Sequence, residues 1–262
     1  MDEITNPKLL PTGRFGCYRG FSLLFDNPGE HSLSPMTGQF WRIDCQVHAD
    51  PGLALYAKLA TSVEKIVLPA LGPGISFSAL PAYSYHVTVW DGLNEGNRKK
   101  LSERYRLDLA DFLLDLPVSL QPGKFTALPE SSPLVGPWSV AFQFDRLSVW
   151  GDSVLVARLK PVDGRSLEAR NDIAEHRIQL YEKIESEFGL GGWRSGYAPH
   201  ISLGYFWNEP GASAAAPQED RWTEEFKHEI GSELIRFESV SLYGFLNMEI
   251  YFKRTQEPST ET

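Results

Sequence analysis

Hydrophobic and polar residues alternate most regularly in two short runs, Tyr85 to Trp90 and His200 to Phe206, and a period of two predicts β-strands there. In a strand, residues i and i+2 share a side. His86 and Thr88 would therefore project together, as would His200 and Ser202, with Val87, Val89, Ile201 and Leu203 facing away. The same criterion predicts a first core strand at Phe40 to His48, then strands at Ile75 to Leu80, Trp138 to Phe144, Leu147 to Trp150 and Ser153 to Lys160. Elsewhere the period lengthens to three and four. Asp50-Pro51 offers an N-cap and a first-turn proline for a helix running to about Leu68, with Leu53, Tyr56, Ala57, Ala60, Val63 and Val67 on its apolar face. Asn97 to Leu116 predicts a second helix with Leu101, Tyr105, Leu109, Phe112 and Leu113 inward. Arg165 to Phe188 predicts a long third one, stopped by Gly189-Leu190-Gly191-Gly192.

Taken in order, these elements form a β-α-β-β-α unit, then a crossing at Gln121 to Pro137 rich in Pro, Gly and Ser, then a second unit. The second unit continues with a small-residue loop at Gly211 to Pro217 and a short helix at Trp222 to Ile230. It closes with a hairpin of Phe237 to Tyr243 and Phe245 to Phe252 turning at Gly244. Residues 1 to 39 are rich in Gly and Pro around one apolar run, Cys17 to Phe25, and read as an amino-terminal arm or hairpin. The expected organisation is that arm, one bilobal α+β domain over 40–253 (lobe one about 40–120, lobe two about 138–253), and a polar tail at 254–262.

Composition narrows the partners. The 262 residues are 42% hydrophobic and 12% aromatic, enough for a sizeable core. Net charge is −9, and no run of Lys or Arg exceeds Arg98-Lys99-Lys100. A surface that binds long nucleic acid by counterion release needs concentrated positive charge, so a small nucleotide or a short RNA end is the better fit. No apolar run reaches the roughly 18 to 20 residues of a membrane helix, and Met1 to Asn6 lacks signal-peptide features, so no membrane partner and a cytoplasmic location are expected. Oligomeric state is not legible. Cys17 and Cys45 do not make a disulfide framework. HxxxH, HExxH and CxxC are absent, as are GxxxxGK[ST] and GxSxG, so neither a metal nor another cofactor is expected. His31, His48, His176 and His228 lack the strand context of the pair and read as surface residues.

The chemistry lies in the duplicated pattern His86-Val87-Thr88-Val89 and His200-Ile201-Ser202-Leu203. A neutral imidazole can take a proton from a nucleophile while a protonated one gives a proton to a leaving group, and two hydroxyls can hold the oxygens between them. Phosphodiester cleavage needs that division of labour. The paired motifs resemble those of the 2H phosphoesterase superfamily, and the stretch Ser84 to Gly92 is similar to its DUF1868 branch. The resemblance runs from about Phe40 to Lys253. It implies a bilobal α+β fold around a central cleft, with His86, Thr88, His200 and Ser202 catalytic. It also implies metal-independent hydrolysis of a 2',3'-cyclic phosphate or a related nucleotide ester. Tyr85, Trp90, Tyr197 and Tyr205 are candidates to stack on a base, and Arg194 to meet a phosphate. The alternatives are a non-catalytic module that binds a phosphorylated nucleotide, an RNA-end enzyme that joins or trims 2',5' linkages, and two histidines buried in separate sheets.

Overall fold

The strand-forming runs join in one antiparallel sheet, seen in a computed structural model that describes residues 3–151, 153–191 and 196–254. Along the sheet the order is β2 (Leu33–Pro35), β3 (Phe40–Ile43), β10 (Tyr251–Arg254), β9 (Leu234–Phe245), β6 (Gly136–Trp150), β7 (Val154–Pro161), β8 (His200–Phe206) and β4 (Phe77–Ala79). A branch leaves β9: β1 (Gly20–Phe25) pairs with it and with β5 (Thr88–Asn94). The class is α+β.

In hydrogen-bonding order the motif strands are distant, since the path from β5 to β8 passes through β1, β9, β6 and β7. The Tyr197 hydroxyl, just before β8, nevertheless donates to the Thr88 carbonyl in β5 at 2.9 Å. Strand twist accumulates over the intervening strands, and the sheet curls until the segment leading into β8 meets β5.

Several elements differ from the expected ones. The apolar run in the supposed arm is an interior strand: all six residues of β1 are buried, and Phe25 stacks on Phe237 with ring centroids 4.6 Å apart. Phe40 to His48, expected as a core strand, yields only β3, whose Phe40, Trp41 and Arg42 remain partly or fully exposed beside β10. The two strands expected at 138–144 and 147–150 are one long strand, β6, whose register shifts between Phe144 and Arg146 against β7 and between Pro137 and Val140 against β9. Gly211 to Pro217 is largely helical. Asn208 caps α6 (Glu209–Ala215) by accepting from the Gly211 amide at 2.8 Å, and small residues are what let this helix pack closely. Gly244 lies within β9 and is not a turn, and a side chain there would strike the ring of Phe252.

The helices lie within the expected segments but not at all the expected bounds: that expected over Asn97 to Leu116 begins only at Glu103, after a separate turn at Arg98–Lys100. Asp50 accepts from the Gly52 amide, and the chain then passes through Pro51–Leu53, α1 (Ala54–Ser62), a π-type turn at Val63–Val67 and α2 (Leu68–Ala70). Next come α3 (Glu103–Leu114), which buries Tyr105, Leu109 and Leu113, and the short α4 (Ala127–Glu130) in the crossing segment. Helix α5 (Gly164–Phe188) is capped by Asp163, which accepts from the Ser166 amide at 2.7 Å, and ends where Gly189 turns left-handed at φ 75°. Its buried stripe of Ile173, Leu180, Ile184 and Phe188 also includes Arg177 and Tyr181. Helix α7 (Glu219–Ile230) buries Trp222 and Phe226. Among the described residues, no helix is long and apolar enough to cross a membrane.

Candidate active site

Alternation at both motifs survives folding. Val87, Val89, Ile201 and Leu203 are fully buried, while Thr88, His200 and Ser202 are half-buried and His86 keeps 9% of its surface exposed. His86 itself lies in extended chain just ahead of β5. Gly92 shapes the far end of β5. Its φ is 75°, and a Cβ there would collide with the Phe21 carbonyl, so only glycine lets β5 lie this close to β1.

The two imidazoles are held in the same way. Nδ1 of His86 lies 2.8 Å from the Ser84 carbonyl, and Nδ1 of His200 lies 3.0 Å from the Ala198 carbonyl, in each case the residue two before. A carbonyl can only accept, so each Nδ1 carries the hydrogen and each Nε2 presents a lone pair. Each ring also rests on an aromatic partner. Tyr251 packs against His86 at 4.1 Å between centroids, and Trp150 against His200 at 4.4 Å. Among the described residues, no hydrogen bond occupies the hydroxyl of Thr88 or Ser202.

Burial lowers the pKa of both histidines, because a charged imidazole loses its water. His86 is pushed down to about 4; its backbone acceptor works against the shift, and the neighbouring His200 adds to it. A charge on His200 thus disfavours a second charge on His86. His200 is lowered by burial first, raised in part by its Ala198 acceptor and by Asp91, and lowered again by Arg177 and Arg158. Both shifts favour the neutral form of the ring.

Cations gather around the pair. Arg158 lies directly across from His200 in the β7–β8 ladder, its guanidinium 5.9 Å from the Trp150 ring. Arg177 reaches from α5 to within 3.9 Å of Asp91 and stacks over Tyr197 at 5.0 Å; its buried Nε has no partner among the described residues. Tyr181 donates to Asp91 at 2.9 Å. Lys8 arrives from the amino-terminal hairpin, 3.2 Å from the Tyr205 hydroxyl. Burial opposes its charge, but Tyr205, Tyr18 and Asp91 outweigh that and raise its pKa, so it is an ammonium. Among the described residues, no group of three His, Cys, Asp or Glu is gathered closely enough to hold a metal ion.

The structure brings His86, Thr88, His200, Ser202, Tyr197 and Tyr205 into this region and separates two other candidates from it. Tyr85 is 1% exposed and packs edge-on against Tyr56 at 5.8 Å; Trp90 is 1% exposed and packs against Phe21 at 6.2 Å. Both belong to the core and cannot stack on a ligand: Tyr85 shares the buried register of Val87, whereas Trp90, which period two would put beside His86 and Thr88, is turned inward because Leu24 pairs with Thr88 and Leu23 with Trp90, leaving Val89 as an extra residue. Tyr197 is also buried and acts as a tie between the motifs. Tyr205 faces the site for a reason period two does not supply. Val156 pairs with Ser202 and Leu155 with Gly204, so Leu203 is an extra residue, and this bulge turns Tyr205 to the same face as His200 and Ser202. Arg194 lies outside the described residues. Lys8, Trp150, Arg158, Arg177 and Tyr251 were not singled out from sequence. Arg177 left a signal, since it interrupts the apolar stripe Ile173, Leu180, Ile184 of a long amphipathic helix; Lys8 left none.

No family model matches the chain, and no curated protein does. Among solved structures, a conserved protein of unknown function from Agrobacterium tumefaciens strain C58 superposes with a TM-score of 0.51 at 14% identity, covering 97% of this chain and 93% of that one. At that identity the likeness speaks to fold alone.

Proposed function

We propose that the protein is a metal-independent phosphodiesterase of the 2H phosphoesterase type. It would open a cyclic or 2'-linked nucleotide phosphate, such as a 2',3'-cyclic phosphate, by paired histidine acid–base catalysis. The observation that carries the reading is the repeated imidazole geometry: two Nδ1 groups tied to their own i−2 carbonyls, two Nε2 lone pairs left for chemistry, and electrostatic coupling between the rings. On this reading the segments bearing the motifs correspond to the two lobes of that superfamily, with the cleft running between β5 and β8.

The step follows from the groups present. An incoming phosphodiester brings negative charge next to two neutral imidazoles and favours uptake of one proton. The neutral ring then takes a proton from water as it attacks phosphorus, and the protonated ring delivers its proton to the departing ribose oxygen. Thr88 and Ser202 donate to the non-bridging oxygens, and Arg158 and Arg177 offset the charge that builds there. No protein group becomes covalently attached, and the products are one phosphomonoester and the free hydroxyl.

The test is turnover of a panel of 2',3'-cyclic nucleotides and short 2',5'-linked oligonucleotides by the wild type and by His200→Ala. Cleavage by the wild type alone supports the reading. Stoichiometric binding without product in the wild type would replace it with a binding module.

A further inference from the structure

The amino-terminal hairpin carries a cation to the rim of the two-histidine region, and nothing in the mechanism above uses it. Its backbone is pinned. The Thr5 and Asn6 amides both donate to the Trp207 carbonyl at 3.0 Å, the Asn6 side chain donates to the Phe206 carbonyl at 3.0 Å, and Ser78 donates to the Gly13 carbonyl. Within the hairpin, Leu10 and Gly16 donate to Arg14 and Lys8. The Lys8 ammonium is thereby set over the Tyr205 ring at 4.5 Å and near the Tyr18 ring at 5.4 Å.

The donors at this spot are only partly spent. The Tyr205 hydroxyl gives its hydrogen to Met248 Sδ at 3.3 Å, so it accepts from Lys8. An ammonium has three hydrogens, and the rings on either side attract its charge without using the others. Among the described residues, Lys8 has no carboxylate within ion-pair distance. A half-buried cation on π faces, with donors to spare and no carboxylate within ion-pair distance among the described residues, suits an anion.

Direction is fixed by the β-bulge at Leu203, which aims Tyr205 to the side of His200 and Ser202. Three side chains stand in the contact path from Lys8 to His86: Tyr205, Met248 and Tyr251, the last of which touches Met248 with its hydroxyl and His86 with its ring. Its ammonium therefore addresses a different group of the ligand from the one held between the imidazoles.

We infer that Lys8, with Tyr18 and Tyr205, forms a second anion-binding subsite, so that the preferred ligand is a nucleotide ester bearing a further phosphate remote from the scissile one. The inference rests on the phosphodiesterase reading for the nucleotide nature of the ligand, but its test does not need turnover. Calorimetric titration would compare adenosine 2'- and 3'-monophosphates with their 5'-phosphorylated counterparts, on wild type, Lys8→Met, Lys8→Gln and Lys8→Arg. Thermal melting of each variant would check the fold. The wild type should bind the bisphosphates at least about tenfold more tightly than the monophosphates. That preference should fall toward one in the Met and Gln variants and persist in part in Lys8→Arg. Equal affinity for both classes in the wild type, or a preference that survives in folded Lys8→Met and Lys8→Gln, overturns the subsite. A preference that follows Lys8 while no cyclic substrate is cleaved upholds the subsite and removes the catalytic reading.

Discussion

At the scale of single residues, the account turns on two imidazoles that differ from free histidine. Replacing either one, His86→Ala or His200→Ala, should lower kcat by about 100- to 10,000-fold, the usual worth of a positioned acid or base, with unchanged far-ultraviolet circular dichroism. Thr88→Val and Ser202→Ala remove one oxygen donor each and should cost about 10- to 1,000-fold, mostly in kcat. The pH dependence is more distinctive. One ring must be neutral and the other charged, and both pKa values lie below the ordinary 6.5, with His86 at about 4. The profile of kcat/KM should therefore peak on the acid side of pH 6.5; a maximum at pH 8 or above would contradict the burial of the pair. At this scale the sequence spoke through repetition. His86, Thr88, His200 and Ser202 were legible because one spacing occurs twice, whereas Lys8, Arg158, Trp150 and Tyr251 come from elements that share no pattern with the motifs. Tyr85 and Trp90 misled because aromatic type identifies a stacking surface only when the register is known, and theirs points into the core.

At the scale of elements, a hydrogen bond from Tyr197, just before β8, to the Thr88 carbonyl ties the two motif segments, beside the Arg177 bridge from Asp91 to Tyr197. Tyr197→Phe keeps the packing against Arg177 and leaves that carbonyl unpaired, which should destabilise the protein by about 1 to 3 kcal/mol in urea unfolding. It should also lower kcat, because the two imidazoles lose registration. Gly92→Ala should be worse: a left-handed backbone and a collision with the Phe21 carbonyl would push β5 away from β1. Soluble yield and melting temperature measure that loss. Helices were readable in advance because their caps are local; Asp50 and Gly189 each act within a few residues. Strand partners were not, because pairing is decided by distant segments. Nothing near Cys17 to Phe25 says that β9 will lie on one side and β5 on the other. The bulge at Leu203, which sets the direction of Tyr205, is likewise invisible without β7.

At the scale of the whole molecule, curling of the sheet makes the site, and keeping histidine neutral in a dry environment has a stability consequence. Above pH 6.5, His86 is neutral in the folded and unfolded chains alike. As pH falls from 6.5 toward about 4, the unfolded chain takes up its proton first, so stability is lost across that window and the loss levels off below it. From this one ring the loss is on the order of 3 kcal/mol. Urea unfolding at pH 7 and pH 4.5 should show a smaller difference for His86→Gln than for the wild type. An equal difference would mean that His86 titrates normally. The charge balance of −9 belongs to the same scale, since a few local cations on an acidic molecule suit a small phosphorylated ligand better than a long polyanion.

The central claim is that two imidazoles act on one phosphorus atom, and phosphorus NMR of a 2',3'-cyclic nucleotide incubated with enzyme in the presence of a chelator tests it most directly. The wild type should convert the cyclic phosphate to a single monoester signal, and His86→Ala and His200→Ala should each leave the cyclic signal standing over the same interval. Conversion at the wild-type rate by either single variant would contradict the account.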